Sequence, residues 1–263
     1  MPELSEVEVV RRNLQAWWTR AASEVRLVDE KLVTRGGPED LERLLRSAPP
    51  ELLRRGKYLV AKFGDEAVVF HFRMTGKIVK APESEPRFAR LGWDGTDGGW
   101  LVFKDSRRLG HVDVLGPGEL ATYAPLAAMG PEPRGLDAAA LRERLPVRRG
   151  LKAALMDQAV IAGIGNIAVS EVFWRLRLAV DVNCGALTDD QVAALAAALP
   201  AYFDELIDAQ MADEITYINE GGAAENPFDV YGREGEPCPR CGTAIERQSV
   251  AGRSSYFCPG CQG

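Results

Sequence analysis

The chain has 263 residues, 46 % of them hydrophobic and 27 % charged, which is ordinary for a globular protein and excludes a disordered tail, a collagen-like fibre and a small disulfide scaffold. The length predicts one large domain or two smaller ones, and no run reaches the ~18 apolar residues that a membrane span needs. The formal charge of −6 argues, as a total, against a nucleic-acid partner.

The N-terminus reads Met-Pro-Glu-Leu-Ser-Glu, acidic from the start and unlike a signal peptide, so an intracellular protein is expected. Residues 5–19 predict an amphipathic helix. Val7, Val10, Leu14 and Trp17 or Trp18 recur at helical spacing, and Ser5 followed by Glu8 has the form of a capping box. Strand-like runs follow at Val25–Val28, Tyr58–Phe63, Ala67–Met74, Ile78–Lys80, Phe88–Trp93, Trp100–Phe103 and Val112–Leu115. Gly, Pro and charged turns separate them, as in an antiparallel sandwich. The texture changes near Gly116-Pro117-Gly118, and Pro125, Gly130, Pro131 and Pro133 read as a linker. Helices are then expected over 138–145, capped by Asp137, over roughly 151–158, and over 167–177, capped by Asn166. A Thr188–Gln191 capping box opens a last helix to about 210 that Pro200 should kink. Strands first and helices second predict an α+β fold in two domains.

The chain has five cysteines. Cys184 stands alone and reads as a buried structural thiol. The others form Cys238-Pro-Arg-Cys241 and Cys258-Pro-Gly-Cys261. Two such knuckles offer four thiolates to one tetrahedral Zn²⁺; two disulfides are the alternative, which an intracellular chain disfavours. Four thiolates leave no open position for a substrate, so the zinc would be structural, holding a hairpin with too little core of its own.

The charge is unevenly spread. Residues 181–225 hold ten acids and no Lys or Arg, which leaves the rest with 32 basic against 28 acidic residues, a net of +4. Basic residues cluster at Arg54, Arg55, Lys57 and Lys62, at Lys104, Arg107 and Arg108, and from Arg134 to Lys152. Local potential rather than total charge steers a polyanion. A solvated acidic helix with scattered surface arginines is the other reading of the same pattern.

A set of motifs spans nearly the whole chain. They are Pro2-Glu3-Leu4 with Glu6-Val7-Glu8, Arg55-Gly56-Lys57-Tyr58-Leu59, His71-Phe72-Arg73-Met74-Thr75-Gly76, Asp105-Ser106-Arg107-Arg108-Leu109-Gly110, Leu155-Met156-Asp157-Gln158, Gly163-Ile164-Gly165-Asn166-Ile167, Val230-Tyr231-Gly232-Arg233 and the four-cysteine finger. With these the sequence resembles the formamidopyrimidine-DNA glycosylase / endonuclease VIII family of bacterial base-excision repair enzymes. The resemblance implies an N-terminal antiparallel β-sandwich with an N-terminal helix, a helical domain with a helix–two-turn–helix element, and a β-hairpin zinc finger. It divides the chain into a catalytic domain (1–118), a linker (119–135), a helical DNA-binding domain (136–228) and the finger (229–263). It implies a monomer acting on damaged double-stranded DNA in the bacterial cytoplasm, at the nucleoid, with one structural zinc and no membrane partner.

The resemblance also assigns roles. Pro2, exposed by loss of Met1, is the nucleophile. An N-terminal α-amino group has a pKa near ~8, which the positive end of a helix lowers, and as a secondary amine on a sugar C1′ it yields an iminium that is cationic without a further proton. Glu3 is the acid that assists ring opening. Glu6 supports the same pocket, although an acidic first turn is otherwise ordinary dipole compensation. Lys57 takes a phosphate as a point charge. Met74, Arg107 and Leu109 fill the gap that an extruded nucleotide leaves. Lys152, Asn166 and Arg253 contact phosphates, and Cys238, Cys241, Cys258 and Cys261 hold the metal. Taken singly, Met74 reads as core, Lys57 as an ordinary surface lysine and the Gly-x-Gly as a loop.

The chain departs from the family pattern in places. Ser5 and Ser106 stand for prolines, Leu109 for a phenylalanine and Ala168 for a tyrosine. The segment 211–228 begins Met211-Ala212-Asp213-Glu214 in place of a Gly-Gly opening. The function implied is a bifunctional glycosylase and abasic-site lyase for ring-opened formamidopyrimidines and 8-oxoguanine. The alternatives are an endonuclease VIII-like enzyme for oxidised pyrimidines and a non-catalytic paralogue that binds damaged DNA.

Overall fold

A computed structural model describes residues 2–211 and 226–262. Two compact units divide the chain, Met1–Ala127 and Ala128–Gly263.

The first unit opens with helix α1 (Leu4–Trp17). Strands β1 (Val25–Leu27) and β2 (Val33–Arg35) come next, then helix α2 (Pro38–Leu45). The remaining strands are β3 (Glu51–Arg55), β4 (Tyr58–Phe63), β5 (Glu66–His71), β6 (Lys77–Ala81), β7 (Ala89–Trp93), β8 (Trp100–Lys104) and β9 (His111–Leu115), and a short helix α3 (Ala124–Ala127) closes the unit. One sheet has the order β1-β7-β8-β6, the other β2-β9-β5-β4-β3. Side chains alternate across a strand with period two. Leu59, Ala61, Val68 and Phe70 therefore enter the main core with Leu14, Leu41, Leu45, Trp93 and Phe103. Val60, Ala67 and Val69 face the opposite way, onto Leu115 and Tyr123.

The predicted sandwich is present, with four differences. The pair β2–β9 is parallel, while the other pairs are antiparallel. Strands β2 and β3 and helix α2 were absent from the sequence reading. Helix α1 starts before Ser5: its N-cap is Glu3, and the capping box is Glu3 with Glu6 rather than Ser5 with Glu8. The run predicted over 67–74 ends at His71, because Arg73 turns into the left-handed region at φ 51°.

The second unit holds α4 (Ala138–Arg144), α5 (Leu151–Leu155), α6 (Asn166–Leu176), α7 (Asp189–Met211), the hairpin β10 (Glu246–Val250) and β11 (Arg253–Phe257), and α8 (Pro259–Gln262). Asp137 caps α4 as expected, accepting from the Ala140 amide at 2.8 Å. Thr188 and Gln191 form the expected reciprocal bonds at 3.2 and 2.9 Å. Helix α5 is shorter than predicted. Gly165 is the N-cap of α6, and Asn166 is its first residue rather than its cap. Pro200 lies within the single helix α7. Buried Glu171 of α6 accepts from the amides of Asp229, Val230 and Tyr231 at 2.9, 3.0 and 2.8 Å. The finger is thereby tied to α6, and Trp174 packs with Val230, Cys238 and Ile245. Among the described residues, no helix is long and apolar enough to cross a membrane.

Candidate functional site

In the first unit the N-terminal segment is the first candidate. Pro2, Glu3, Glu6 and Lys57 are all buried. The Glu6 carboxylate accepts from the Glu3 amide at 2.6 Å and from the Ser5 hydroxyl at 2.9 Å. Ser5 therefore braces Glu6 and does not cap the helix. The bonds fix the direction in which the chain leaves α1, and so the place of Pro2 at its positive end.

Lys57 sits in the two-residue turn between β3 and β4, where Arg55 pairs with Tyr58. Gly56, at φ 55°, occupies the first turn position, which type II′ hairpins reserve for glycine. Arg54 braces the turn, donating to the Gly56 carbonyl and to Glu8 of α1, each at 3.2 Å. Burial alone would raise the Glu8 pKa. Hydrogen bonds from Arg11 and Arg12, with the charges of Arg11 and Arg54, instead bring it down to about 2. Helix α1 and the Lys57 turn are thus joined through an ionised carboxylate.

Two histidines to which the sequence alone assigned no role also lie here. His71 lies opposite both Tyr58 and His111, and its ring stacks on that of His111 at 5.3 Å between centroids. Burial, then the charges of Arg73, His111 and Lys57, push the His71 pKa down to about 3, so it is neutral at pH 7. The signal was its place in the His71–Gly76 motif, in which only Met74 drew a role.

The second cluster of this unit is built on Asp105, which is 0 % exposed. Its carboxylate accepts from the amides of Arg107, Leu109 and Gly110 at 3.1, 2.8 and 2.7 Å. It also accepts from the Thr75 hydroxyl, and the Arg107 amide reaches that hydroxyl at 3.3 Å. One carboxylate therefore ties the loop bearing Met74 to the loop bearing Arg107 and Leu109. Burial pushes its pKa up, but the hydrogen bonds from Thr75 and the backbone amides outweigh this and hold it below the usual carboxylate value. A Cβ on Gly110 would come within 2.8 Å of Phe103 and 3.2 Å of the Asp105 carboxylate, so only glycine fits. Met74, Arg107 and Leu109 are exposed, unlike the core methionine that position alone implied.

In the second unit the predicted phosphate contacts meet at the finger. Arg253 is exposed and follows the tight turn of Ala251 and Gly252, with φ of 52° and 71°. Lys152 is only 2 % exposed. Its Nζ donates to the Ser254 carbonyl at 3.2 Å and to Ser255 Oγ at 2.5 Å. Asn166 Nδ2 donates to the same carbonyl at 2.9 Å. Burial, and then the charge of Arg253, lowers the Lys152 pKa to about 8.

Cys238, Cys241, Cys258 and Cys261 lie with their sulfurs within 4.8 Å of one another. A tetrahedron with Zn–S of ~2.3 Å has edges of about 3.8 Å, and the sulfur separations of 3.4, 3.5 and 3.9 Å fit it. The thiols are free, so the disulfide alternative fails. Trp174 Nε1 donates to Cys238 Sγ at 3.4 Å, an outer contact that orients a metal ligand. Cys184 is buried and apart, and burial raises its pKa, as an inert thiol requires.

Comparison with known proteins covers these same regions. The formamidopyrimidine-DNA glycosylase N-terminal domain matches residues 1–112. The H2TH domain of that enzyme matches 129–215, and the zinc finger found in FPG and IleRS matches 235–263. A formamidopyrimidine-DNA glycosylase of Geobacillus kaustophilus is 35 % identical over 275 aligned positions that cover all of both chains. A structure of MutM in complex with DNA containing carbocyclic 8-oxo-G matches with a TM-score of 0.86 at 31 % identity, covering 99 % of each chain. The Lactococcus lactis Fpg in complex with DNA containing an abasic site gives the same three figures. A proline before a buried carboxylate, a zinc-binding finger and identity of this extent from end to end together place the chain in the formamidopyrimidine-DNA glycosylase family, as a DNA glycosylase.

Proposed function

We propose that the protein is a bifunctional glycosylase and abasic-site lyase that removes oxidised bases from duplex DNA through an iminium on Pro2. The observation that carries this reading is the end of α1, where Pro2 directly precedes the buried carboxylate of Glu3 and the Glu3–Glu6 bonds fix the turn. With Met1 removed, the Pro2 nitrogen attacks C1′ of the damaged nucleotide. The bond from C1′ to the base breaks, and the base leaves with the electron pair and takes up the proton that the Pro2 nitrogen loses. Glu3 delivers a proton to O4′ as the sugar ring opens, leaving a Pro2–C1′ iminium. Loss of the C2′ proton then expels the 3′ phosphate, and a second elimination expels the 5′ phosphate. Water releases the sugar remnant and frees Pro2, and the DNA is left with a gap bearing phosphate at both ends. Met1 lies outside the described residues, as do residues 212–225 of the segment at 211–228.

Lys57 would hold the phosphate of the damaged nucleotide from its braced turn. Met74, Arg107 and Leu109 would enter the vacated space. Arg253 and Asn166 would grip flanking phosphates, with the charge of Lys152 supporting them from below the finger hairpin. Zinc bound by the four cysteines supplies structure and no chemistry. The relatives bound to DNA with 8-oxo-G or an abasic site support damaged DNA as the partner, and we assign a duplex substrate and a monomer in the bacterial cytoplasm. The test is borohydride trapping on abasic-site DNA, after intact-mass measurement has established loss of Met1. A covalent adduct at Pro2, lost in Pro2→Gly, is expected. An adduct on an internal lysine refutes the mechanism, and no adduct at all favours a binding module.

A further inference from the structure

Three exposed apolar side chains stand on loops that meet at Asp105: Met74, Phe88 and Leu109, at 41, 37 and 44 % exposure. The carboxylate of Asp105 holds the loops of Met74 and Leu109. Its backbone holds the third, since the Asp105 amide donates to the Phe88 carbonyl at 2.9 Å. Ala89, the next residue, is paired with Lys104. Phe88 is thus fixed to the same node by its own carbonyl and by the pairing of the residue that follows it.

The backbone at each of these loops is unusual. Among the described residues, the non-glycine positions with positive φ are Arg73, Phe88, Arg108, Arg177 and Ala251. The first three, at 51°, 69° and 55°, are next to Met74, at Phe88 itself and next to Leu109. A bulky residue persists there only where its surroundings over-determine it, and such positions gather at functional sites. Among the described residues, Phe88 belongs to neither of the buried clusters given above for this unit, so packing against them does not account for its place.

The chemistry of the set lacks one thing without Phe88. Met74 brings a flexible thioether, Arg107 a guanidinium and Leu109 a branched alkyl group, and none of these has an aromatic face. Phe88 has one, and the exposed Arg87 guanidinium lies 4.5 Å from its ring centroid. An aromatic ring beside a cation is the arrangement that stacks on a nucleobase and pairs with its phosphate.

We propose that Phe88 is a further DNA-contacting residue, whose ring stacks on a base that loses its stacking neighbour when the damaged nucleotide leaves the helix. The proposal rests on the reading above that Met74, Arg107 and Leu109 fill that gap. Its test is single-turnover excision from a duplex carrying one formamidopyrimidine lesion, beside cleavage of the same duplex with a preformed abasic site. Wild type, Phe88→Ala, Phe88→Tyr, Met74→Ala and the double variant Phe88→Ala with Leu109→Phe are compared. A 2-aminopurine next to the lesion reports base stacking by its fluorescence.

Loss of one base–aromatic stack corresponds to a slowing of excision on the order of tenfold in Phe88→Ala. A smaller loss is expected on the abasic duplex, where no base has to be unstacked. The 2-aminopurine signal should be brighter than with wild type. Phe88→Tyr should keep the wild-type rate, and Leu109→Phe should restore most of the loss by supplying another ring. Unchanged excision in Phe88→Ala overturns the proposal, as does a fall in melting temperature that accounts for an equal loss on both duplexes. Slow Met74→Ala with unaffected Phe88→Ala rejects this proposal and keeps the gap-filling reading. If both variants excise at the wild-type rate, or wild type cleaves neither duplex, that reading falls and this proposal falls with it.

Discussion

Asp105→Asn is the most informative single change in the first unit. The native carboxylate accepts three backbone amides and one hydroxyl, from chain segments 30 residues apart. Hydrogen bonds to a charged acceptor contribute ~1.5–3 kcal/mol each, and they are not additive. An asparagine keeps one acceptor oxygen but turns an NH₂ group toward amides that also donate, on whichever side it faces. We expect a loss of about 2–3 kcal/mol of stability for Asp105→Asn, and a larger one for Asp105→Ala, which leaves the Leu109 and Gly110 amides without this acceptor. The pH window follows from the lowered pKa. Because the folded-state value lies below that of the unfolded chain, the stabilisation is complete above the ordinary aspartate range near ~4 and is lost as pH falls through the folded value. At pH 7 the whole effect is present. The loops of Met74 and Leu109 should then lose their mutual placement, and lesion excision should slow on the order of tenfold, equivalent to about 1.4 kcal/mol in the barrier. Urea unfolding at pH 7 and at pH 3, with single-turnover excision on a lesion duplex, measures both quantities. Asp105→Asn with wild-type stability and wild-type excision would refute the account of this carboxylate.

The remaining predictions concern the second unit and the substrate. Metal analysis should find about one zinc per chain, and Cys258→Ser should abolish DNA binding while most of the helical circular dichroism survives; a metal-free, fully active protein contradicts this. The depressed Lys152 pKa means that the unfolded state binds more protons between about pH 8 and the ordinary lysine value, so stability should rise with pH across that window; Lys152→Met should remove that rise, and its persistence would assign it to another group. Affinity for DNA should fall steeply with salt, and Arg253→Ala should flatten the log–log slope by about 0.9, the contribution of one phosphate contact; an unchanged slope removes Arg253 from the interface. Leu109 in place of an aromatic and the altered opening at 211 predict faster cutting of ring-opened purines or oxidised pyrimidines than of 8-oxoguanine, which side-by-side single-turnover assays decide; a clear preference for 8-oxoguanine opposite cytosine overturns it.

Much of the molecule was legible in the chain itself wherever the deciding interaction is short-range. Asp137 and the Thr188–Gln191 pair cap their helices because donor and acceptor are three residues apart. The two Cys-x-x-Cys knuckles declare a metal site because each closes on itself before it meets the other. Helix α2, with Pro38 at its start and Leu41, Leu44 and Leu45 on one face, was equally local and could have been read. Other features were set by contacts that no local pattern carries. Strand β3 reads Glu-Leu-Leu-Arg-Arg, without alternation, and exists because β4 pairs with it. Ser5 and Glu3 are both competent caps, and the choice fell to Glu3 once the Glu6 carboxylate received its amide. Lys152 was expected at a DNA phosphate, yet it is buried and donates to Ser254, 102 residues away. Asp105 was only the first letter of a motif until Thr75, 30 residues earlier, reached it. Residue type and spacing thus determined the caps of α4 and α7 and the metal ligands. Which carboxylate braces a loop, and which lysine is desolvated, depends on pairing between distant segments, and only the folded structure decides that.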